Sequence, residues 1–335
     1  MTSPLLLLPG VTMDHILYFC DYLEIARLRN VCHSLRNHID LFKPDAHVKE
    51  VRLGNWENAE ICFESENESK NNSRIWIGYK ETDDGCTVAC KTHMGSTPLK
   101  TISGLDPMDA LMQDFKIYLR HLKTPLTKLK LDEVCCDPLL QIMRSQTFKL
   151  KTNKLQLSEL STAQILAMLP FFDAKCLKNL KIFTDVNDVT GEPLGVFHEL
   201  FETEYWRNAE KIRLSNFYIS DVRQIFHLKK FEGCMSTAAI DDLVLLKNTF
   251  IRLTGFEWIH INFDVDFDVS SINEAFGAPS FDIEFTNSWF FRIHNDTNSV
   301  LWVELTDNKV LVIERVDRSD IPPGAVVINY KASGY

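Results

Sequence analysis

The chain has 335 residues, of which 45% are hydrophobic and 24% are charged, and its formal net charge at pH 7 is −10. This composition is typical of a globular protein of two or three domains, and the acidic balance argues against a surface that coats nucleic acid or anionic membrane. No apolar run approaches the roughly 18 residues of a membrane span, and the opening leucines lack the basic flank of a signal peptide. We therefore expect a cytoplasmic or nuclear protein.

Residues 1–45 are predicted to be helical. Apolar residues from Met13 to Cys20 follow the spacing of one helix, and those from Ile25 to Ile39 follow the spacing of a second. A segment of this size buries little surface by itself, so part of its apolar face is predicted to bind a partner.

Residues 46–95 change to the alternation that is typical of strands. Apolar and polar residues alternate in VKEVRL, AEICFES, SRIWIGY and CTVACKT, and Asp84-Gly85 marks a turn. The pattern predicts a small antiparallel β meander.

Residues 106–265 begin with an amphipathic helix and continue as a repeat of short strands followed by helical stretches. The pattern predicts an irregular, leucine-rich-repeat-like α/β solenoid, in which parallel strands are backed by helices. The predicted strands centre on Leu129–Leu131, Leu155–Leu157, Leu180–Ile182, Ile212–Leu214 and, as a more distant copy, Ile259–Ile261.

Residues 280–318 alternate strongly again and predict closing C-terminal strands, whereas residues 321–335 are predicted to be a loose tail. The whole pattern predicts an α/β protein, α+β overall, with a helical segment at 1–45 and one larger region at 46–320.

One group of side chains rises above this background. Basic residues flank or separate the apolar pairs of the predicted repeat strands, where side chains point to the open side of the sheet. A functional strip of this kind favours an acidic or phosphorylated ligand. The same pattern also fits cations that only solvate an exposed sheet face. The six basic residues are Lys128, Lys130, Lys154, Lys181, Lys211 and Arg213.

Motifs that carry chemistry are incomplete. Cys86, Cys90 and His93 have no evident fourth zinc ligand, so Cys86, Val88 and Cys90 are predicted to share one face of a strand instead. Asp264, Asp266 and Asp268 occupy calcium-loop positions, but valine replaces the required glycine, so an acidic strand face is favoured. We therefore predict no catalytic residue, no metal and no cofactor.

The helical segment resembles the F-box. The residues that carry the resemblance are Leu8, Pro9, Ile16, Leu17, Leu23, Leu28, Val31, Cys32 and Leu35. The resemblance implies helices that dock an apolar face on the Skp-family adaptor and, through it, on the cullin of an SCF-type ubiquitin ligase. It assigns these nine residues to adaptor contact or to the core that shapes the contact.

The remainder resembles the FTH domain of the F-box family that is expanded in nematodes. The stretches that carry this resemblance are CHSLRNHIDLFKPD, YWRNAEKIRLSNF, IFHLKKFE, WFFRI and VLWVELTDNKVLVIERV. The resemblance implies that this region captures a protein target, so that the chain is a non-catalytic substrate receptor.

Two other functions remain open at this stage. A non-degradative scaffold would use the same two surfaces. Direct nucleic-acid binding through the basic strip ranks last, because no aromatic stacking platform is interleaved with the lysines.

Overall fold

The computed structural model of the protein describes residues 7–55, 59–65, 74–92, 95–184, 195–283, 286–307 and 309–329. The chain divides into two compact units, Met1–Leu177 and Lys178–Tyr335. Each unit combines α-helices with β-strands, so the predicted mixed α/β class is confirmed.

Unit 1 places parallel and antiparallel strands side by side. Its strands lie in the order β7-β6-β1-β2-β3-β4-β5, with β7, β6 and β1 parallel and the remaining neighbours antiparallel. Its helices are α1 (Gly10–Tyr18), α2 (Tyr22–Val31), α3 (His33–Phe42), α4 (Pro107–Arg120), α5 (Cys136–Arg144) and α6 (Thr162–Met168). Its strands are β1 (Val48–Asn55), β2 (Ala59–Ser65), β3 (Arg74–Thr82), β4 (Gly85–Thr92), β5 (Gly95–Ser103), β6 (Leu126–Asp132) and β7 (Thr152–Ser158).

The N-terminal segment, which we call the hook (residues 1–45), forms three helices where the sequence predicts two. The predicted second helix is interrupted at Cys32, whose backbone is extended (φ −160°, ψ 165°). Asp21 accepts a hydrogen bond from the backbone N–H of Glu24 and so caps α2. Across the break, the guanidinium of Arg29 donates two hydrogen bonds to Asp40, at 2.7 and 3.0 Å. A small apolar core closes the three helices: Met13, Leu17, Ile25, Leu35 and Ile39.

The hook packs against the rest of unit 1. The ring of Tyr22 lies 4.3 Å from that of Phe63 on β2 and 5.4 Å from that of Tyr118 on α4, measured between centroids. The backbone N–H of Ala46 donates to the carbonyl of His121 at 3.1 Å. The hook therefore shares an aromatic cluster with the β meander and α4.

Unit 2 also has a parallel part and an antiparallel part. Its strands lie in the order β8-β9-β10-β11-β15-β14-β13-β12, with β8 to β11 parallel, and β16 pairs with β13. Its helices are α7 (His198–Phe201), α8 (Glu204–Asn208), α9 (Ile240–Arg252) and α10 (Val269–Phe276). Its strands are β8 (Asn179–Phe183), β9 (Lys211–Ile219), β10 (Lys230–Met235), β11 (Trp258–Phe263), β12 (Phe281–Ile283), β13 (Thr286–Arg292), β14 (Ser299–Thr306), β15 (Val310–Asp317) and β16 (Val327–Ile328).

Strand β10 is missing from the predicted repeat, and it accounts for the long interval between the last two predicted strands. Phe231 pairs in register with Ile212 on β9 and with Ile259 on β11. Position 233 of this strand is occupied by glycine, because a Cβ there would lie 2.5 Å from the ring of Phe231 and clash with it. The array is therefore more regular than its Leu-x-Leu signature indicates.

The segment predicted as a loose tail includes β16, which pairs with β13 through Val327 and Ile328. The hydroxyl of Ser280 donates to the carbonyl of Val326 at 2.8 Å. Residues 330–335 lie outside the described residues. The tail prediction is therefore wrong for Val327–Ile328, because the short β-branched run that follows Pro322-Pro323-Gly324 pairs with β13.

Candidate functional site

The nine hook residues that resemble the F-box fall into three groups by burial. Leu17 and Leu35 are buried in the core of the hook. Leu23, Leu28 and Cys32 are half-buried, and Leu28 and Cys32 pack against that core. The exposed members are Leu8, Pro9, Ile16 and Val31.

The exposed group makes the surface of the hook unusually apolar. The exposed fraction is 68% for Val31 and 37% for Ile16. Further exposed apolar side chains lie on the same segment, including Val11, Phe19 and Leu41. Because exposed apolar side chains in such density mark interaction sites on monomeric proteins, the hook is a candidate protein-binding surface.

In unit 1, the predicted basic strip is interleaved with carboxylates. Lys128 is the register neighbour of Lys154 on β7 and of Glu50 on β1, and its ammonium lies 3.8 Å from a Glu50 carboxylate oxygen. Lys130 lies 3.2 Å from Asp132. Burial lowers the pKa of Lys128, and the nearby Glu50 carboxylate opposes that shift.

In unit 2, two of the three basic residues of the strip also lie next to carboxylates. Lys211 lies 3.4 Å from Glu257, and Arg213 lies 2.9 Å from Glu232 on the neighbouring strand. Hydrogen bonding to lysine, first to Lys230, lowers the pKa of Glu257. Lys181 is the register neighbour of Arg213. Lys128, Lys130, Lys211 and Arg213 thus each lie close to a carboxylate, which reduces the net positive charge offered to a ligand.

The predicted metal patterns do not form a cluster. The Asp268 carboxylate accepts from the backbone N–H groups of Ser270 and Ser271, and so caps α10, while Asp264 accepts from the Tyr218 hydroxyl. This corrects the predicted acidic strand face, because β11 ends at Phe263 before the three aspartates. No group of three or more His, Cys, Asp or Glu side chains within the described ranges could hold a metal ion, and His93 lies outside them.

Two buried thiols, Cys62 on β2 and Cys135 in the turn before α5, are held in the protonated form by burial. Burial raises the pKa of Cys62 to about 11 and that of Cys135 to about 12. A thiol with a raised pKa stays protonated at neutral pH, whereas the thiolate is the reactive form.

A groove on unit 2 was not predicted from the sequence. It lies over β13 and β14 and has a volume of about 460 Å³. The rings of Phe290 and Trp302, which we call its floor, line it, and its polar groups come from Thr286, Ser288, Glu304 and Asp320. The sequence signal was the run Trp289-Phe290-Phe291, which places aromatic rings on both faces of one strand.

Comparison with protein families gives a match over part of the chain. The family model of the FTH domain matches residues 133–280. No curated protein and no solved structure matches the chain significantly. Among the described helices, none combines the length and apolar composition required to cross a membrane.

The matched residues include β8 to β11 and the helices that connect them. The chain therefore contains a region, residues 133–280, that is similar to the FTH domain. The groove over β13 and β14 follows the matched residues in the sequence.

Proposed function

We propose that the protein is the substrate-recognition subunit of an SCF-type ubiquitin ligase. In this proposal the hook is an F-box that binds the Skp-family adaptor and through it the cullin, and the FTH region binds a protein target. The observation that carries the proposal is the division of the hook between a closed core, which includes Leu17 and Leu35, and exposed apolar side chains such as Ile16 and Val31.

The proposed interface works by removing apolar surface from water. Each Å² of apolar surface that becomes buried contributes about 25 cal/mol, and a few central side chains dominate such interfaces. Because the core of the hook closes without Val31, that side chain is available for the adaptor at little cost to the fold.

The chain supplies no chemistry in this proposal. It accelerates ubiquitin transfer by holding the target close to the conjugating enzyme, which converts a bimolecular encounter into one within a complex.

The Val31→Asp substitution tests the adaptor contact. A carboxylate at this exposed position would have to lose water in an apolar interface, so we expect at least a thirtyfold loss of affinity for a purified Skp-type adaptor. Calorimetry on the full chain measures the affinity, and Ile16→Asp is expected to act in the same direction.

Val134→Asp is the matched control. Val134 is also exposed, but it lies in the turn before α5, where an added carboxylate is tolerated at the start of a helix. Unchanged adaptor binding in both hook variants, with thermal unfolding like that of the wild type, would refute the proposal.

A separate measurement distinguishes the receptor from a non-degradative scaffold, because both use the same two surfaces. Proteins that co-purify with the chain are expected to accumulate in ubiquitinated form when the proteasome is inhibited. Unchanged abundance and no ubiquitination would favour the scaffold.

A further inference from the structure

We propose that the groove over β13 and β14 binds an extended peptide with an apolar side chain at one position and an arginine or lysine two residues later. The inference deepens and rests on the proposed function, since it gives the chemistry of the segment that a target presents to unit 2.

The apolar half of the groove consists of side chains on the outer face of the antiparallel strands. Phe290 on β13 lies opposite Trp302 on β14, and the ring of Phe281 meets that of Phe290 edge to face at 6.4 Å. Val316 and Pro322 complete this part of the lining. A volume of about 460 Å³ is within the range of sites that bind small ligands or single side chains.

The polar half of the groove is centred on the carboxylate of Glu304. The hydroxyls of Ser288 and Thr306 each donate to Glu304 at 3.2 Å, one to each carboxylate oxygen. Asp320 adds a second carboxylate to the lining. Among the described residues, no Lys, Arg or His forms an ion pair with either carboxylate, although carboxylates elsewhere in unit 2 are paired.

Charge complementarity therefore selects a cationic occupant. A lysine or arginine brought to Glu304 would form a charge-assisted hydrogen bond next to an apolar surface, where such bonds are strong. The Trp302 ring beside the carboxylate adds a favourable cation–π surface. An acidic peptide would meet two carboxylates and be repelled.

The strand geometry sets the spacing of the two side chains. Trp302 and Glu304 are two residues apart on β14 and lie on the same face, so their Cα atoms are about 7 Å apart. In an extended peptide, side chains at positions i and i+2 also share a face and have the same separation. An apolar residue at i and a cation at i+2 thus match the floor and the carboxylate.

The test uses capped pentapeptides and the full chain. The probe is Ac-Gly-Leu-Ser-Arg-Gly-NH2, and the comparison peptides replace Arg with Glu, or Leu with Gly. Binding is measured by NMR from the peptide signals, which report on every variant, and the indole N–H of Trp302 is the local reporter in chains that keep this residue. We expect the probe to bind in the high-micromolar to millimolar range and at least tenfold more tightly than either comparison peptide.

Substitutions in the groove locate the binding site. Glu304→Gln keeps a hydrogen-bond acceptor but removes the charge, so the preference for Arg over Glu is expected to disappear. Glu304→Arg is expected to reverse the preference, and Trp302→Ala to abolish binding of the probe. Glu274→Gln, on the exposed face of α10, removes the same charge outside the groove and is expected to change nothing.

Three results would overturn the proposal. One is equal binding of the Arg and Glu peptides. A second is self-association of the chain that Trp302→Ala abolishes, which would identify a second copy as the occupant. The third is probe binding only after deletion of residues 330–335, which include Lys331 and would then be the occupant.

The adaptor measurement keeps this inference separate from the proposed function. Glu304→Gln is expected to leave adaptor affinity unchanged, and Val31→Asp to leave peptide binding unchanged. A wild-type chain that binds the probe peptide but not the adaptor would refute only the proposed function, and one that binds the adaptor but not the peptide would refute only this inference.

Discussion

Replacement of Tyr22 by alanine is expected to destabilise the hook by about 3–5 kcal/mol, the usual cost of truncating a large buried aromatic side chain. The ring of Tyr22 is 9% exposed and contacts Phe63 and Tyr118 of the same unit. Alanine would leave a cavity between α2, β2 and α4 that the rigid neighbouring rings cannot fill.

Native-state hydrogen exchange measures this effect locally. Amides of α1 to α3 are expected to lose protection in Tyr22→Ala, while those of β9 to β11 in unit 2 keep theirs. Tyr22→Phe is the control, because it keeps the ring contacts and is expected to cost less than about 1 kcal/mol. Wild-type protection of the hook in Tyr22→Ala would show that the aromatic cluster does not anchor it.

The contacts of Tyr22 with Phe63 and Tyr118 also mean that removal of the hook would disturb the rest of unit 1. Removal of residues 1–45 would expose Phe63 and Tyr118, which are buried in the full chain. Target binding is therefore better measured on the full chain with a surface variant such as Val31→Asp than on a fragment without the hook.

Local patterns predicted several elements because the physical cause of each was local. The Leu-x-Leu strands place two apolar side chains on the buried face, and β6, β7, β8, β9 and β11 lie where this pattern occurs. The amphipathic helix predicted from residue 106 is α4, which Asp106 caps and Pro107 begins.

The missed elements depend on features that periodicity does not contain. The apolar stripe of the hook continues past Cys32, so one extended residue divides a predicted helix without changing the pattern. Strand β10 carries Phe231 and Met235 around a glycine, and this lacks the apolar pair of the other repeat strands.

In the candidate sites, too, local sequence patterns predicted some residues, whereas others are brought together only by the fold. The six basic residues were found from their positions within strands, but their partners Glu50, Glu232 and Glu257 come from other strands or loops. The groove needs the register of β13 against β14, which only the folded sheet sets. Burial also separated Leu17 and Leu35 from Ile16 and Val31, which are equally apolar in the sequence.

Alkaline pH is expected to unfold unit 1 steeply, because three tyrosines are buried in it. Burial raises the pKa of Tyr22, Tyr79 and Tyr118 well above the ordinary value near 10. The Asp114 carboxylate, which accepts a hydrogen bond from the Tyr79 hydroxyl at 2.8 Å, also raises the pKa of Tyr79 and Tyr22. The unfolded chain therefore releases these protons first, and the stability present below pH 10 is lost as the pH rises above it.

The expected slope is large. Each such phenol costs about 1.4 kcal/mol per pH unit above pH 10, so three cost about 4 kcal/mol per unit. Buried thiols such as Cys62 act in the same direction from about pH 9. Burial lowers the pKa of Lys128 in unit 1 and of Lys247 in unit 2, which favours the folded state as the pH rises, but each lysine contributes at most one proton. For a stability of about 5–15 kcal/mol, unfolding is expected within a few pH units above 10.

Absorbance at 295 nm follows phenolate formation, and circular dichroism follows the fold. Three of the eight tyrosines are expected to ionise only as the fold is lost. Tyr118→Phe provides the control, because the Tyr118 hydroxyl is buried without a hydrogen-bond partner among the described residues. Its removal is expected to stabilise the protein by about 1–3 kcal/mol at neutral pH and to reduce the alkaline slope by one proton. Ionisation of all eight tyrosines near pH 10 in a folded chain would contradict the buried cluster, since a phenolate enclosed by Phe63 and Phe115 would have no compensating charge.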